Sequence, residues 1–237
     1  MIWPFTTPTP RAAEPSITRD AFWAEVLPPF TAALAQFRLT EVKRGTWLGN
    51  DGPVRPMFQL FEPQGGAFVP YYGVAFAFVP RLSGAKPAWH RTRASARMDI
   101  AVRCEGRDRE VSLIRQATHA RVFINGALGE ILNDASALWS AANDVAAVPD
   151  LLEDVMAMRP DTRSQRNVQY PIVRAFIYKY LGQTAKAEAA WQVIADDPYY
   201  ADAMIALRKV FDVGGLKNLP HDVCIDEAKR RVVERGG

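Results

Sequence analysis

The sequence predicts an α+β fold: an antiparallel sheet packed on N-terminal helices, followed by an all-helical region. Three observations carry this reading. Met57-Phe58-Gln59-Leu60-Phe61 and Tyr72-Gly73-Val74-Ala75-Phe76-Ala77-Phe78-Val79 alternate with a period of two on either side of Pro63-Gln64-Gly65-Gly66. That period is strand spacing, and the turn between the segments suits an antiparallel hairpin. Tyr72, Val74, Phe76 and Phe78 share one face, with the small residues Gly73, Ala75 and Ala77 opposite. Before the hairpin, Thr18 to Phe37 carries apolar residues at helical spacing, and beyond Asp134 that spacing returns.

Thr18 is placed to cap a first helix, with Asp20 in its first turn and Phe22, Trp23, Val26 and Leu27 as its apolar stripe. Pro28-Pro29 is expected to interrupt it, because two amide donors are lost and Leu27 is pushed out of the helical region. A second helical piece, Phe30 to Phe37, carries Phe30, Leu34 and Phe37 on one side. Thr40 to Gly49 reads as a first strand with Val42 and Trp47, ending in the turn Gly49-Asn50-Asp51-Gly52. After the hairpin, Arg81 to Trp89 reads as a loop, Ala96 to Cys104 as a strand and Glu105 to Arg109 as a charged turn. Val111 to Ile114 and Ala120 to Ile124 read as short strands, with a helix starting at Val111 as the alternative.

Leu138, Trp139, Ala142 and Val145 then recur at helical spacing, and Pro149-Asp150 opens a helix through Leu152, Val155 and Met156. Arg159 to Gln169 is polar, contains Pro160 and reads as a linker. Pro171 to Tyr180, Ala185 to Ala195, Ala201 to Val213 and Asp226 to Arg235 read as helices. The expected organisation is an extended tether over 1–15, an α+β domain over 16–160 and a helical extension over 161–237.

The 237 residues are 49% hydrophobic and 23% charged, which suits a globular chain with ample core. A net charge of +3 does not demand a nucleic-acid or membrane partner. Its distribution is uneven: Arg81 to Arg121 holds ten Lys/Arg against four Asp/Glu, and Val122 to Asp161 holds one Arg against seven acids. Such blocks read first as surfaces that complement each other, and second as a basic docking face. Cys104 and Cys224 fit neither a disulfide framework nor a metal spacing, which predicts reduced thiols in a cytoplasmic protein. No apolar run approaches the roughly 20 residues that span a bilayer. Met1-Ile2-Trp3-Pro4-Phe5 lacks the basic start and apolar length of a signal peptide. Its Trp3 and Phe5 either fold back on the domain or dock elsewhere through the Pro8, Pro10 and Pro15 tether.

Leu34, Phe37, Arg44, Gly45, Trp47 and Gln59 stand in a recognisable order within Phe22 to about Val79. They resemble a bacterial family of domains of unknown function, with an opening helix ending in Leu…Gly-Phe, an Arg-Gly-x-Trp/Tyr strand and a strand with a buried Gln. Gln36 stands where that family has Gly, so the expected left-handed helix stop is missing at that position. The resemblance implies a fold and no activity. Ala175-Phe176-Ile177-Tyr178-Lys179-Tyr180-Leu181-Gly182, with Ala187, Trp191 and Asp197-Pro198, resembles a single tetratricopeptide-repeat helical hairpin. The resemblance implies close helix approach at Ala175 and Ala187, a groove filled by Tyr178 and Trp191, a turn at Gly182 and a stop at Pro198. No second copy follows at the period of roughly 34 residues, so a peptide-binding superhelix is not expected. The simpler reading is a helical hairpin packed on the first domain.

The chemical inventory is thin. His90, His119 and His221 are isolated, with no second metal ligand at zinc-site spacing. Phosphate-binding glycine loops and a nucleophile elbow are absent. Glu41-Val42-Lys43 matches half of a metal-dependent nuclease site but lacks an Asp on a preceding strand, so an edge strand is the simpler reading. Asp196-Asp197 reads as the polar end of a helix before it reads as a cation site. One cluster stands out: Trp89, His90, Arg91, Arg93 and Arg97, where three guanidiniums share parity if the segment is extended. They suit a phosphate, an acidic partner or single-stranded nucleic acid, or else a solvated face. The expectation is therefore a cytoplasmic, non-catalytic protein-binding module, an adaptor or toxin-neutralising protein, without cofactor, metal or membrane span. The alternative is a binder of, or enzyme acting on, phosphate-containing ligands or nucleic acid through the arginines.

Overall fold

The computed structural model describes residues 17–49, 52–62, 68–83, 86–88, 93–104, 117–157 and 170–213. Thr18 caps α1 (Arg19–Ala35): its backbone is extended and its Oγ1 accepts from the Ala21 amide at 3.2 Å. Contrary to the expectation of two pieces, α1 runs unbroken through Pro28 and Pro29. The carbonyls deprived of a donor belong to Ala24 and Glu25, both exposed, so water can serve them. On the other side Phe22, Val26, Phe30 and Leu34 repeat every fourth residue and are fully buried. Burying such side chains is worth about 1.5–3 kcal/mol each, enough to hold a helix against prolines that cost about 3 kcal/mol apiece.

The left-handed stop missing at Gln36 occurs two residues later. Arg38 has φ 59°, its amide donates to Ala35 O at 2.9 Å, and the Leu39 amide donates to Leu34 O at 3.2 Å. Leu39 and Leu34 are buried in one core, the apolar contact that closes this kind of stop.

The main sheet is antiparallel, in the order β1-β2-β3-β4-β7: β1 (Thr40–Lys43), β2 (Thr46–Leu48), β3 (Val54–Phe61), β4 (Val69–Phe76) and β7 (Ile100–Arg103). The hairpin predicted from alternation is β3–β4, in register from Val54 opposite Phe76 to Phe61 opposite Val69. Thr40 to Gly49 is two strands folded at Arg44-Gly45, where one was expected. Gly45 permits the fold, with φ 71° and no room for a Cβ, which would stand 2.7 Å from Trp23 Cη2 and 3.2 Å from Leu60 O. The expected loop after the hairpin contains a small separate pair, β5 (Arg81–Ser83) with β6 (Lys86–Ala88). Only the last part of Ala96 to Cys104 pairs as a strand.

The two sheet faces differ as the alternation predicts. Trp47, Phe58, Tyr72, Val74, Phe76 and Ile100 join α1 and the later helices in the main core. Leu48, Met57 and Ala75 face the other way and form a small second core with Ala96. Gly73 lets β7 approach: a Cβ there would lie 1.9 Å from Ile100 O.

The segment Ala120 to Ile124, expected as a strand, belongs to α2 (Ala117–Ala142). Its Phe123 stacks on Phe30 at 5.8 Å, and burial continues at Ile131, Ala135, Leu138, Trp139 and Ala142. The Trp139 indole donates to Gly73 O at 2.9 Å. There follow α3 (Val148–Ala157), α4 (Tyr170–Tyr180), α5 (Thr184–Ala195) and α6 (Met204–Val213), with short 3-10 turns at Val145–Ala147 and Pro198–Ala203. Tyr180 stacks on Phe78 at 4.0 Å, so the helical region shares one core with the sheet. Among the described residues no helix is long and apolar enough to cross a membrane. The 1–15 tether, Val111 to Ile114, the linker at 159–169, Cys224 and the helix at 226–235 lie outside the described residues.

Replacing Gly45 by Ala is expected to lower stability in urea by about 2–4 kcal/mol, combining left-handed strain with the Trp23 clash. Arg38→Gly should change it in the opposite direction, by up to about 1 kcal/mol, because the strain relieved slightly exceeds the added chain entropy. Midpoint shifts of the two variants against wild type check both.

Candidate functional site

Of the arginine cluster, Trp89, His90 and Arg91 lie outside the described residues. Arg93–Ser95 is a 3-10 turn, so the shared parity that depended on an extended segment does not hold. Arg93 straps this turn to the sheet: Nη2 donates to Thr40 Oγ1 at 2.5 Å and Nη1 to Gly49 O at 3.4 Å. Ala96 and Met98 then pack on Leu48, Met57 and Ala75, and Arg97 between them is exposed. The 93–98 strip therefore covers part of the sheet face that turns away from the helices.

Strand register places further functional groups on that face. Thr46 pairs with Gln59, Gln59 with Tyr71, and Tyr71 with Arg103, a row across four strands. Gln59, Tyr71 and Arg103 are half-buried, and Phe61, two residues past Gln59, is 46% exposed. The Phe61 and Tyr71 rings meet edge-on at 6.2 Å. Arg55, on the same face and opposite Ala75, is buried. Buried Asp99 turns its carboxylate to the backbone, accepting from the Phe76 amide at 2.7 Å. Parity within β3 and β4 held the signal for Phe61 and Tyr71; the cross-strand row needed the register.

The second surface is the helical hairpin α4–α5. Ala175 and Ala187 are fully buried, and the turn closes at Gly182, φ 73°, with Gln183 N donating to Tyr178 O at 2.9 Å. Trp191 is buried and stacks on Phe211 of α6 at 4.7 Å. Tyr178 lines an open groove of ≈ 250 Å³ with Arg174, Lys186, Ala189, Ala190 and Val193. Lys186 Nζ lies 5.6 Å over the Tyr178 ring, Arg174 pairs with Glu153 at 2.9 Å, and Val193 is 59% exposed.

On the other flank Arg208 joins α5 to α6. It donates to both Glu188 oxygens at 2.8 and 3.1 Å, pairs with Asp212 at 2.9 Å, and lies over Trp191 and Phe211. Its hydrogen bonds hold the Glu188 carboxyl below the usual range. Burial, with Asp197 adding, pushes the Tyr200 phenol up to about 12. Asp197 caps the turn opened by Pro198, accepting from the Tyr199 amide at 2.9 Å, and Asp196 accepts from Gln192 at 2.7 Å. Glu41 accepts from the Gly45 amide at 2.9 Å on the outermost strand, a bond that shapes the β1–β2 turn. Among the described residues no three His, Cys, Asp or Glu side chains gather to hold a metal ion. Cys104 is a buried free thiol.

Comparison of the chain with known family models, curated proteins and solved structures finds no match in any of the three.

Glu188 has its pKa lowered from 4.5 on folding, so its pairing contributes stability above that value and loses it as pH falls through the depressed one. Arg208→Met, which keeps the stem over Trp191, should cost about 0.2–1 kcal/mol at neutral pH, as exposed pairs do. That cost should shrink as pH falls through the depressed Glu188 value, which denaturant titrations of both proteins at neutral and acid pH will read.

Proposed function

We propose that this chain is a non-catalytic protein-binding module, of the adaptor or toxin-neutralising kind, that receives a partner segment in the α4–α5 groove. The observation that carries this reading is the groove's lining. Ala189, Ala190 and half-exposed Val193 offer an apolar floor, and Arg174, Lys186 and Tyr178 offer donors around it. A floor of this kind gains by covering its apolar surface, and Lys186, beside an Arg174 already paired with Glu153, favours a segment carrying an apolar side chain beside a carboxylate.

The packing of the hairpin is compatible with the same reading. Here α6 closes one side through Trp191 and Phe211, which leaves the other side for a partner. The reading also places the protein in the cytoplasm, where a reduced thiol such as Cys104 persists.

Tagged full-length chain should retain a stable partner from lysate, and the purified partner should then bind it directly. Val193→Asp combined with Lys186→Glu is expected to weaken that direct binding by about tenfold or more with the thermal midpoint unchanged. Equal affinity for wild type and double variant would remove the groove from consideration.

A further inference from the structure

The α4–α5 groove has a claimant within this chain. Lys186, Ala189, Ala190 and Val193 recur at i, i+3, i+4 and i+7, one stripe of α5, and Arg174 and Tyr178 line it from α4. Among the described residues Lys186 meets the Tyr178 ring, at 5.6 Å, and no carboxylate. Arg174 is engaged with Glu153, but both side chains are half-exposed, so that pair contributes little. The stripe therefore suits apolar atoms over Ala189 and Val193 with a carboxylate at the Lys186 end. The last described residue, Val213, lies two beyond Phe211, which stacks on Trp191, the neighbour of Ala190 in α5. After it the sequence carries Asp222-Val223-Cys224-Ile225-Asp226-Glu227, three apolar side chains with one acid before them and two after. Residues 214–221, fully extended, span about 26 Å, enough to pass round a helix about 10–12 Å across.

We infer that the groove is the docking site of the chain's own segment Asp222–Glu227, with Val223 and Ile225 over the α5 stripe and an acid at Lys186. Length and charge choose this occupant. The other terminal stretch, 1–16, offers Trp3 and Phe5 but a single acid, Glu14, with Arg11 close by, and so lacks the matching charge. The same segment of a second copy has the same chemistry, but a short tether gives the chain's own segment an effective concentration in the millimolar range. The inference rests on the partner reading for one consequence only. A partner entering the groove must displace the segment, which lowers its apparent affinity by the fraction of chains that are open.

Cys224 supplies the probe. In the full chain carrying Ala189→Cys, the oxidant diamide should join the introduced thiol to Cys224 within one molecule, since a disulfide needs Cβ atoms about 4 Å apart. Peptide mapping and a monomer mass read the product, and wild type, whose Cys104 is buried, is the control. Adding Ile225→Asp, or Val193→Asp with Lys186→Glu, should slow bond formation about tenfold or more. Lys186, Ala189 and Val193 are exposed, so the groove variants keep the fold, which an unchanged thermal midpoint checks. Ile225→Asp should also bind the captured partner about tenfold more tightly than wild type does. The thiol assay uses no partner, so it decides the position of the segment whether or not the partner reading holds. A disulfide-linked dimer as the main product, or a rate unmoved by Ile225→Asp and by the groove double variant, would overturn the inference.

Discussion

Phe30 sits where four elements meet. Its ring lies 6.2 Å from Trp47 of β2, 5.5 Å from Phe58 of β3 and 5.8 Å from Phe123 of α2. The position explains why α1 must remain one helix across its prolines: a break there would swing Phe30 and Leu34 out of line with Phe22 and Val26. The sheet depends on the same contact from below, since Trp47 also donates its indole N–H to Thr31 of α1 at 3.1 Å. Packing of one aromatic row therefore sets the helix path, the place of the first hairpin and the seat of α2.

Trp23, Leu34, Arg44 and Gly45 are bound up in this arrangement. Trp23 lies against Gly45, the Arg44 guanidinium stands 5.2 Å over the Trp23 ring, and Arg44 reaches Asp20 at 2.9 Å. Leu34 closes the helix stop with Leu39. These are structural roles, and they tie α1 to the β1–β2 turn. Two helix stops of the same geometry also illustrate how context replaces composition. Gly182 meets the left-handed requirement between α4 and α5, whereas Arg38 accepts it after α1 because Leu39 must reach Leu34 in the core.

One sheet face is consumed by the helices and the other is divided. The 93–98 strip covers Leu48, Met57 and Ala75, and toward the other end of the face Phe61 is exposed while Tyr71 and Arg103 are half-buried. The helical hairpin is divided similarly. Its α6 flank is filled by Trp191, Phe211 and the Arg208 clamp, and its opposite flank is an open, cation-bordered groove. Both candidate surfaces are thus what remains after the aromatic cores have been satisfied, and they differ in what they offer a partner.

Local pattern alone determined the β3–β4 hairpin, its two faces and the helices from α3 to α6, because each has one dominant period that burial on a single side imposes. It did not determine the path of α1, the fold at Arg44-Gly45, the start of α2 or the 3-10 turn at Arg93. In each of those the local signal favours one conformation and a distant contact outweighs it: Phe30 with Trp47 and Phe58, Gly45 with Trp23, Phe123 with Phe30, Arg93 with Thr40. The row from Gln59 through Tyr71 to Arg103 belongs to the same class, since neighbours across strands are separated in sequence and only the register makes them adjacent.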